Sequence, residues 1–419
     1  MNKWLHGLPR QLAVEMIERK LGEQKIKLSK RRLNELVDRL LKGEDDIQLD
    51  TGHEDASIEI TDEDLAWLNE RAHELISKLP AIIDDASEGV SQTILASLKK
   101  KWGAERRQQQ RDMNGFRKRL EERWGAGFER LRMLVTIARE FGDNFNKDGH
   151  AAGGGSNPQA VDVLRRLHAR SCQVTEEVIC LMSSGFADGA MARWRTLQET
   201  AAVACLIGQH GDALAERYIA HEIVEARGAA IQYRKYQKQL GQKPISDAKY
   251  DRIEKAYQAG LQTHGEAFGG QFGWAAGYAG KKNKPNAPKK KDRGPTMADI
   301  QEAAGIDHLS PYYKMASHNV HANPKGVFFK LGLIGESKTL LAGPSNAGLT
   351  DPGHATALSL NQISSVLMRQ NPNVDSIVAV KIMQRLADEI GDALLAAQHK
   401  LAEDERLFSE KKAPAKGQG

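Results

Sequence analysis

Aromatic residues are scarce in this chain, 6% of 419 positions, and strand-like alternation of apolar and polar residues is rarer still. That combination argues against a β-sandwich or barrel and for helices. Cysteine is almost absent. Cys172, Cys180 and Cys205 are the full set, an odd number, and each sits in an apolar helical pattern. That count argues against a disulfide framework and for a reducing compartment. No apolar run approaches the ~20 residues of a membrane span. The opening, MNKWLHGLPRQLAVEMIERK, lacks an uninterrupted apolar stretch and does not read as a secretory signal. A cytoplasmic protein with no membrane contact is the expectation.

What the chain does have is charge and helical period. Charged residues make up 27%, with a formal net charge of +5. The excess is uneven. Lys99–Arg132 holds twelve Lys/Arg against five Asp/Glu, and Lys281–Arg293 holds seven against one. Such stretches suit nucleic acid or an acidic protein, or are simply solvated surfaces. Only Trp102, Trp124 and two Phe accompany the first, too few for base stacking. Self-association into a homo-oligomer is also compatible with the sequence.

The pattern predicts an all-α fold: a multi-helix bundle with a small β-hairpin insertion and a helical N-terminal extension. Residues 1–142 read as a helical N-terminal region with a basic second half. Within it, Thr61 is expected to cap a helix with Asp64 at the third position. Residues 143–157, DNFNKDGHAAGGGSN, have the composition of a flexible linker. Residues 158–405 form the expected bundle, and 406–419 a disordered tail. In the bundle, Leu164, Leu167, Ser171, Val174, Val178 and Leu181 step by three or four. Gly185 stands where a left-handed cap would end that helix, and Asp188 where a cap would begin the next. A third helix is expected at about 211–240 and a fourth at 246–262. In LSPYYKMASHNVHANP, Ser310 reads as a cap, Pro311 as the first helical residue and Pro324 as the stop. GVFFKLGLIG and KTLLAG, joined by Gly335-Glu336-Ser337, read as the hairpin. Two last helices are expected at about 352–370 and 374–404.

Two polar constellations stand out. Tyr313, Ser317 and His321 are spaced i, i+4, i+8, so a helix stacks them on one stripe. Two hydroxyls and an imidazole in line can pass protons or grip a polar ligand. A Ser-His nucleophile pair would need a carboxylate to orient His321, and this helix has none. The bland alternative is a satisfied seam between helices, with Ser317 bonded to the carbonyl four residues back. Arg195 and Glu199, also i, i+4, flank an apolar stripe. They are either an anion grip or a structural ion pair locking two helices. His318 and His321 lack the companions of a metal site, and His168, His210, His221 and His399 read as helix-surface or core residues. LAGPSNAG lacks the Lys-Ser/Thr of a phosphate loop. No metal and no cofactor is expected.

The order of these features is Gly-Phe-Ala-Asp-Gly-Ala before Arg195-Thr-Leu-Gln-Glu199, then Trp274, then Tyr313-x3-Ser317-x3-His321, a hairpin and Gly343-Pro344-Ser345. It resembles an uncharacterised bacterial all-α family, known only as a domain of unknown function, over about residues 160–400. The resemblance implies that the Arg/Glu helix and the Tyr-Ser-His helix meet. It carries no reaction. The all-α toxin and defence ribonucleases of HEPN type are a functional neighbour. In those, an Arg precedes a His by four to six intervening residues; the His is acid/base and the Arg stabilises phosphate. Here no histidine has an Arg at that spacing, and Lys314 before His321 is the only basic substitute. Two functions follow as expectations. One is a recognition or regulatory module in a defence or stress system. The other is a metal-independent ribonuclease or phosphodiesterase. There His321 would be acid/base, Arg195 the phosphate clamp, Glu199 its orienter, and Tyr313 and Ser317 positioning donors.

Overall fold

The computed structural model describes residues 2–44, 58–151, 157–280, 294–321, 323–334 and 340–412. It divides into two compact units, Met1–Gln110 and Arg111–Gly419. The all-α expectation holds: no strand is present among the described residues. None of their helices is long and apolar enough to cross a membrane.

The first unit holds α1 (Asn2–Glu23), α2 (Lys30–Leu40) and the first part of α3 (Asp62–Ala151). Met16, Ile17, Leu33, Leu36 and Val37 form its small core. Ser29 caps α2 by accepting from the Arg32 amide. At the start of α3, the amide and hydroxyl of Thr61 both donate to Asp64, at 2.9 and 2.8 Å. Lys20 and Arg19 reach the same carboxylate at 2.5 and 2.6 Å. Lys20 first, then the Thr61 amide, holds the Asp64 carboxyl well below the usual range.

The second unit begins within α3 and continues through α4 (Pro158–Ser183), α5 (Ala187–His210), α6 (Asp212–Ala220), α7 (Glu222–Tyr236) and α8 (Asp247–His264). α9 (Met297–Ala303), α10 (Ser310–Val320), α11 (Pro324–Phe328), α12 (Thr350–Met368) and α13 (Val374–Lys412) complete it. α5 is its centre, packed against α4, α12 and α10. Ala190, Met191, Trp194, Leu197, Ala201, Ala204 and Ile207 of α5 are fully buried. Small residues at close-packed positions let the helices approach; a Cβ at Gly353 of α12 would lie 2.5 Å from the Leu394 side chain of α13.

Buried polar groups in this core are joined in a chain. The Trp194 indole donates to Ser359 at 3.0 Å, and Ser359 donates to Gln198 at 2.9 Å. The Gln198 amide then donates to the Ile306 carbonyl at 3.4 Å. Two helices and the approach to α10 are thereby held in one register.

Several local expectations change. The hairpin is replaced by α11 and irregular chain. Asn323 accepts from the Gly326 amide at 2.8 Å and Pro324 follows at the first helical position, so capping overrides the β-propensity of Val327-Phe328-Phe329. Its expected turn, 335–337, lies outside the described residues. Gly185 takes the left-handed conformation, φ 80°, as expected, and ends α4. Asp188, however, does not cap α5; it lies in the first turn and accepts from the Leu331 amide at 3.1 Å. Leu309 rather than Ser310 is the N-cap of α10. The 211–240 helix is two helices, divided at the buried His221, whose ring contacts the Gly270 carbonyl at 2.9 Å. Of the linker expected at 143–157, residues 143–151 belong to α3 and 152–156 lie outside the described residues. Of the expected tail, 406–412 extend α13 and 413–419 lie outside.

Replacing Ser359 with alanine strands both the Trp194 indole N–H and the Gln198 oxygen in the core. Ser359→Ala is expected to cost roughly 2–4 kcal/mol in equilibrium urea unfolding. Exposed Thr263→Ala should stay within about 0.5 kcal/mol. Equal effects of the two would show that the chain carries no weight.

Candidate functional site

The expected site residues divide into two groups. Arg195 and Glu199 lie one turn apart on α5, and Tyr313 reaches them from α10. The Tyr313 hydroxyl donates to Glu199 Oε1 at 2.6 Å, and Arg195 Nε donates to the same oxygen at 3.0 Å. The guanidinium carbon also lies 5.0 Å from the centre of the Tyr313 ring. Burial first, and donation to Glu199 next, push the Tyr313 hydroxyl up to about 12. It therefore stays protonated at neutral pH and works as a donor. The three groups satisfy one another and form a clasp between α5 and α10.

Ser317 and His321 are not part of that clasp. Ser317 gives its proton to the Tyr313 carbonyl at 2.8 Å, the back-bond typical of a helical serine. His321 is the C-cap residue of α10, with extended backbone (φ −109°, ψ 142°) and an exposed side chain. Eight residues on from Tyr313, it lies about 12 Å along the helix axis. Among the described residues no hydrogen bond or ion pair joins its ring to the clasp. His318 is instead bonded to Asn323, whose amide donates to Nδ1 at 2.9 Å. Among the described residues no His/Cys/Asp/Glu group is arranged to hold a metal.

A second polar site lies elsewhere in the same unit. The C-terminal turns of α3, together with α4 and α12, enclose a cavity of about 510 Å³. Arg139, Asp143 and Asn146 line it from α3, Arg165, His168, Cys172, Gln173 and Glu176 from α4, and Leu367 from α12. Helical spacing makes this possible: Arg139, Asp143 and Asn146 on α3, and Arg165, His168, Cys172 and Glu176 on α4, recur every three or four residues, so each set presents one face. Gly142 permits the close approach, since a Cβ there would lie 2.9 Å from both Cε1 and Nδ1 of the His168 ring.

The charges of this cavity are unequally matched. Arg139 pairs with Glu176 at 3.1 Å. Arg165, half-buried, is held through Nε by Asn146 Oδ1 at 2.5 Å and has no carboxylate partner among the described residues. His168 is buried, with Nε2 3.1 Å from Ser364 Oγ. Burial lowers it to about 4, so the ring is neutral at pH 7. Burial likewise pushes the Cys172 thiol up to about 11, which leaves it protonated and unreactive. From sequence alone His168 reads as a helix-surface or core residue and residues 143–157 as a linker, so this site is not legible there. The detectable signal was the period of three to four shared by Arg139, Asp143 and Asn146 and by Arg165, His168 and Cys172.

His168 makes stability pH-dependent in a definite direction. The unfolded imidazole takes up its proton near pH 6.5, whereas the folded one resists until about pH 4. The unfolded state therefore binds more protons between these values, and stability falls as pH drops from 6.5 towards 4, by roughly 3 kcal/mol in all. His168→Gln should flatten that part of the curve, measured as urea midpoints at pH 7, 6, 5 and 4. An unchanged slope would refute the assignment.

No curated protein and no solved structure matches this chain. Residues 161–334 match a family of unknown function, DUF5677. That stretch runs from α4 to just beyond α11, so the likeness takes in Arg195, Glu199 and Tyr313 of the clasp and the α4 wall of the cavity.

Proposed function

We propose that this chain is a recognition protein whose second unit binds a small anionic ligand in the cavity between α3, α4 and α12. The observation that carries this reading is Arg165. A half-buried guanidinium without a carboxylate partner among the described residues is suited to a carboxylate or phosphate from outside. The cavity volume falls in the range of small-molecule sites, and Asn146, Gln173 and neutral His168 offer further polar contacts around Arg165. In this reading the protein is a regulatory module that senses such a ligand in a defence or stress system.

The ribonuclease reading has less support. It needs Arg195 and His321 to act on one phosphodiester. Arg195 is engaged by Glu199 and Tyr313, and His321 lies beyond the end of α10. Ser317, a positioning donor in that scheme, spends its proton on its own helix.

Thermal unfolding in the presence of inorganic phosphate, succinate or AMP tests the recognition reading. At a hundredfold excess over Kd a ligand adds about 2.7 kcal/mol of stability. At least one of these probes is expected to raise the midpoint of the wild type and not that of Arg165→Gln. Equal shifts in both proteins, or none in the wild type, would count against the site. Incubated RNA should remain intact. Cleavage that disappears in both His321→Ala and Arg195→Ala would return the function to the ribonuclease.

A further inference from the structure

A smaller pocket in the second unit is lined mostly by hydrogen-bond donors. It encloses about 340 Å³ between α3, α13 and the segment that precedes α12. Phe116, Arg119, Leu120 and Arg123 line it from α3, and their i, i+3, i+4, i+7 spacing puts them on one face of that helix. Lys400 lines it from α13, and Asn346 from the segment before α12. None of these residues belongs to the clasp or to the cavity of Arg165.

The donors are largely unspent. Arg119 and Lys400 are exposed and have no carboxylate partner among the described residues. Arg123 Nη2 donates to Asp404 at 2.6 Å, but its Nη1 is buried with no partner among the described residues. Asn346 is oriented from inside. An indole N–H can only donate, so the Asn346 side-chain atom 3.0 Å from the buried Trp124 Nε1 is the oxygen. Its NH2 group is therefore left over as a donor. Glu122, on the flank of the α3 face, is the one carboxylate lining the pocket, and Asp404 is already matched by Arg123.

This donor set calls for a group that only accepts and carries more than one negative charge. A phosphate monoester has both properties, with three acceptor oxygens and a charge of about −1.5 to −2 at pH 7. Guanidinium and ammonium groups are its strong partners. Buried Leu120 and half-buried Phe116 give the pocket an apolar wall for the organic part of such a molecule. The volume lies near the low end of small-molecule sites, which suits a mononucleotide or a sugar phosphate rather than a nucleic-acid duplex. The geometry points to a second ligand site, separate from the Arg165 cavity, that holds the phosphate group of a small phosphate monoester through Arg119, Arg123, Asn346 and Lys400.

Isothermal titration of the full chain with glucose 6-phosphate and with AMP tests this, with glucose and adenosine as the controls that lack phosphate. The titrations are made on the Arg165→Gln protein, in which the other cavity has lost its guanidinium. At least one of the two monoesters is expected to bind there at a single site, and neither control. Adding Arg119→Gln and Lys400→Gln should weaken that binding at least about tenfold. Both side chains are exposed, so helical content by circular dichroism should not change. Asn346→Asp keeps an acceptor for Trp124 but exchanges the amide donor for a negative charge, and should weaken binding by a similar factor. No binding of either monoester by Arg165→Gln would overturn the site, and so would unchanged affinity after the Arg119 and Lys400 substitutions or equal binding of the controls. Binding that survives Arg165→Gln and is lost with Arg119 and Lys400 would support this site even if the first cavity bound nothing.

Discussion

The hydrogen-bonded chain from Trp194 through Ser359 to Gln198 is the constraint on which the second unit rests. α5 is apolar on most of its circumference, and an apolar surface alone leaves a helix free to slide or rotate against its neighbours. The indole N–H and the Gln198 amide remove that freedom, because each has a partner in only one register. The register of α12 against α5 in turn sets where Ser364 meets His168, and hence the floor of the cavity. The contact of Gln198 with the Ile306 carbonyl sets the start of the segment that leads into α10 and its Tyr313. Both polar sites are thus downstream of one buried network.

Those two sites illustrate different uses of the same residue types. In the clasp, a guanidinium, a carboxylate and a phenol meet one another's needs, which is how a half-buried charge is normally tolerated. At the cavity wall, Arg139 is matched and Arg165 is held by a neutral amide. An arginine fixed through Nε by an amide keeps the outer edge of its guanidinium available. Sequence spacing alone does not distinguish these cases, since both arginines sit one turn from a polar residue on a helix.

The helical fold could be read from the periodicity of Leu164 to Leu181, and the end of α4 from Gly185, because those signals are local. The meeting of Arg195, Glu199 and Tyr313 was also anticipated, though through a resemblance rather than spacing. Local competition defeated other readings. Val327-Phe328-Phe329 has strand propensity, but Asn323-Pro324 upstream starts a helix more effectively. Residues 143–151 have linker composition, but α3 carries through them with Asp143 and Lys147 paired one turn apart at 2.6 Å. His321 belongs to the Tyr313 stripe only if the helix reaches it, and α10 ends at Val320. The cavity was the least legible feature because its walls come from three helices distant in sequence.

The position of α5 in the chain has a consequence for how the protein is made. Translation delivers α5 before α12, and Ser359 leaves the ribosome 161 residues after Gln198. Until then the Trp194 indole and the Gln198 side chain face water, and the apolar side of α5 that α12 will cover lies bare. α4 can fold against α5 early, since a short turn at Gly185 joins them. That turn is itself finished late, when the Ser345 amide reaches the Gly185 carbonyl at 2.9 Å. The nascent chain must therefore carry a half-covered central helix while the residues between α5 and α12 are made, the kind of intermediate for which chaperones compete with aggregation.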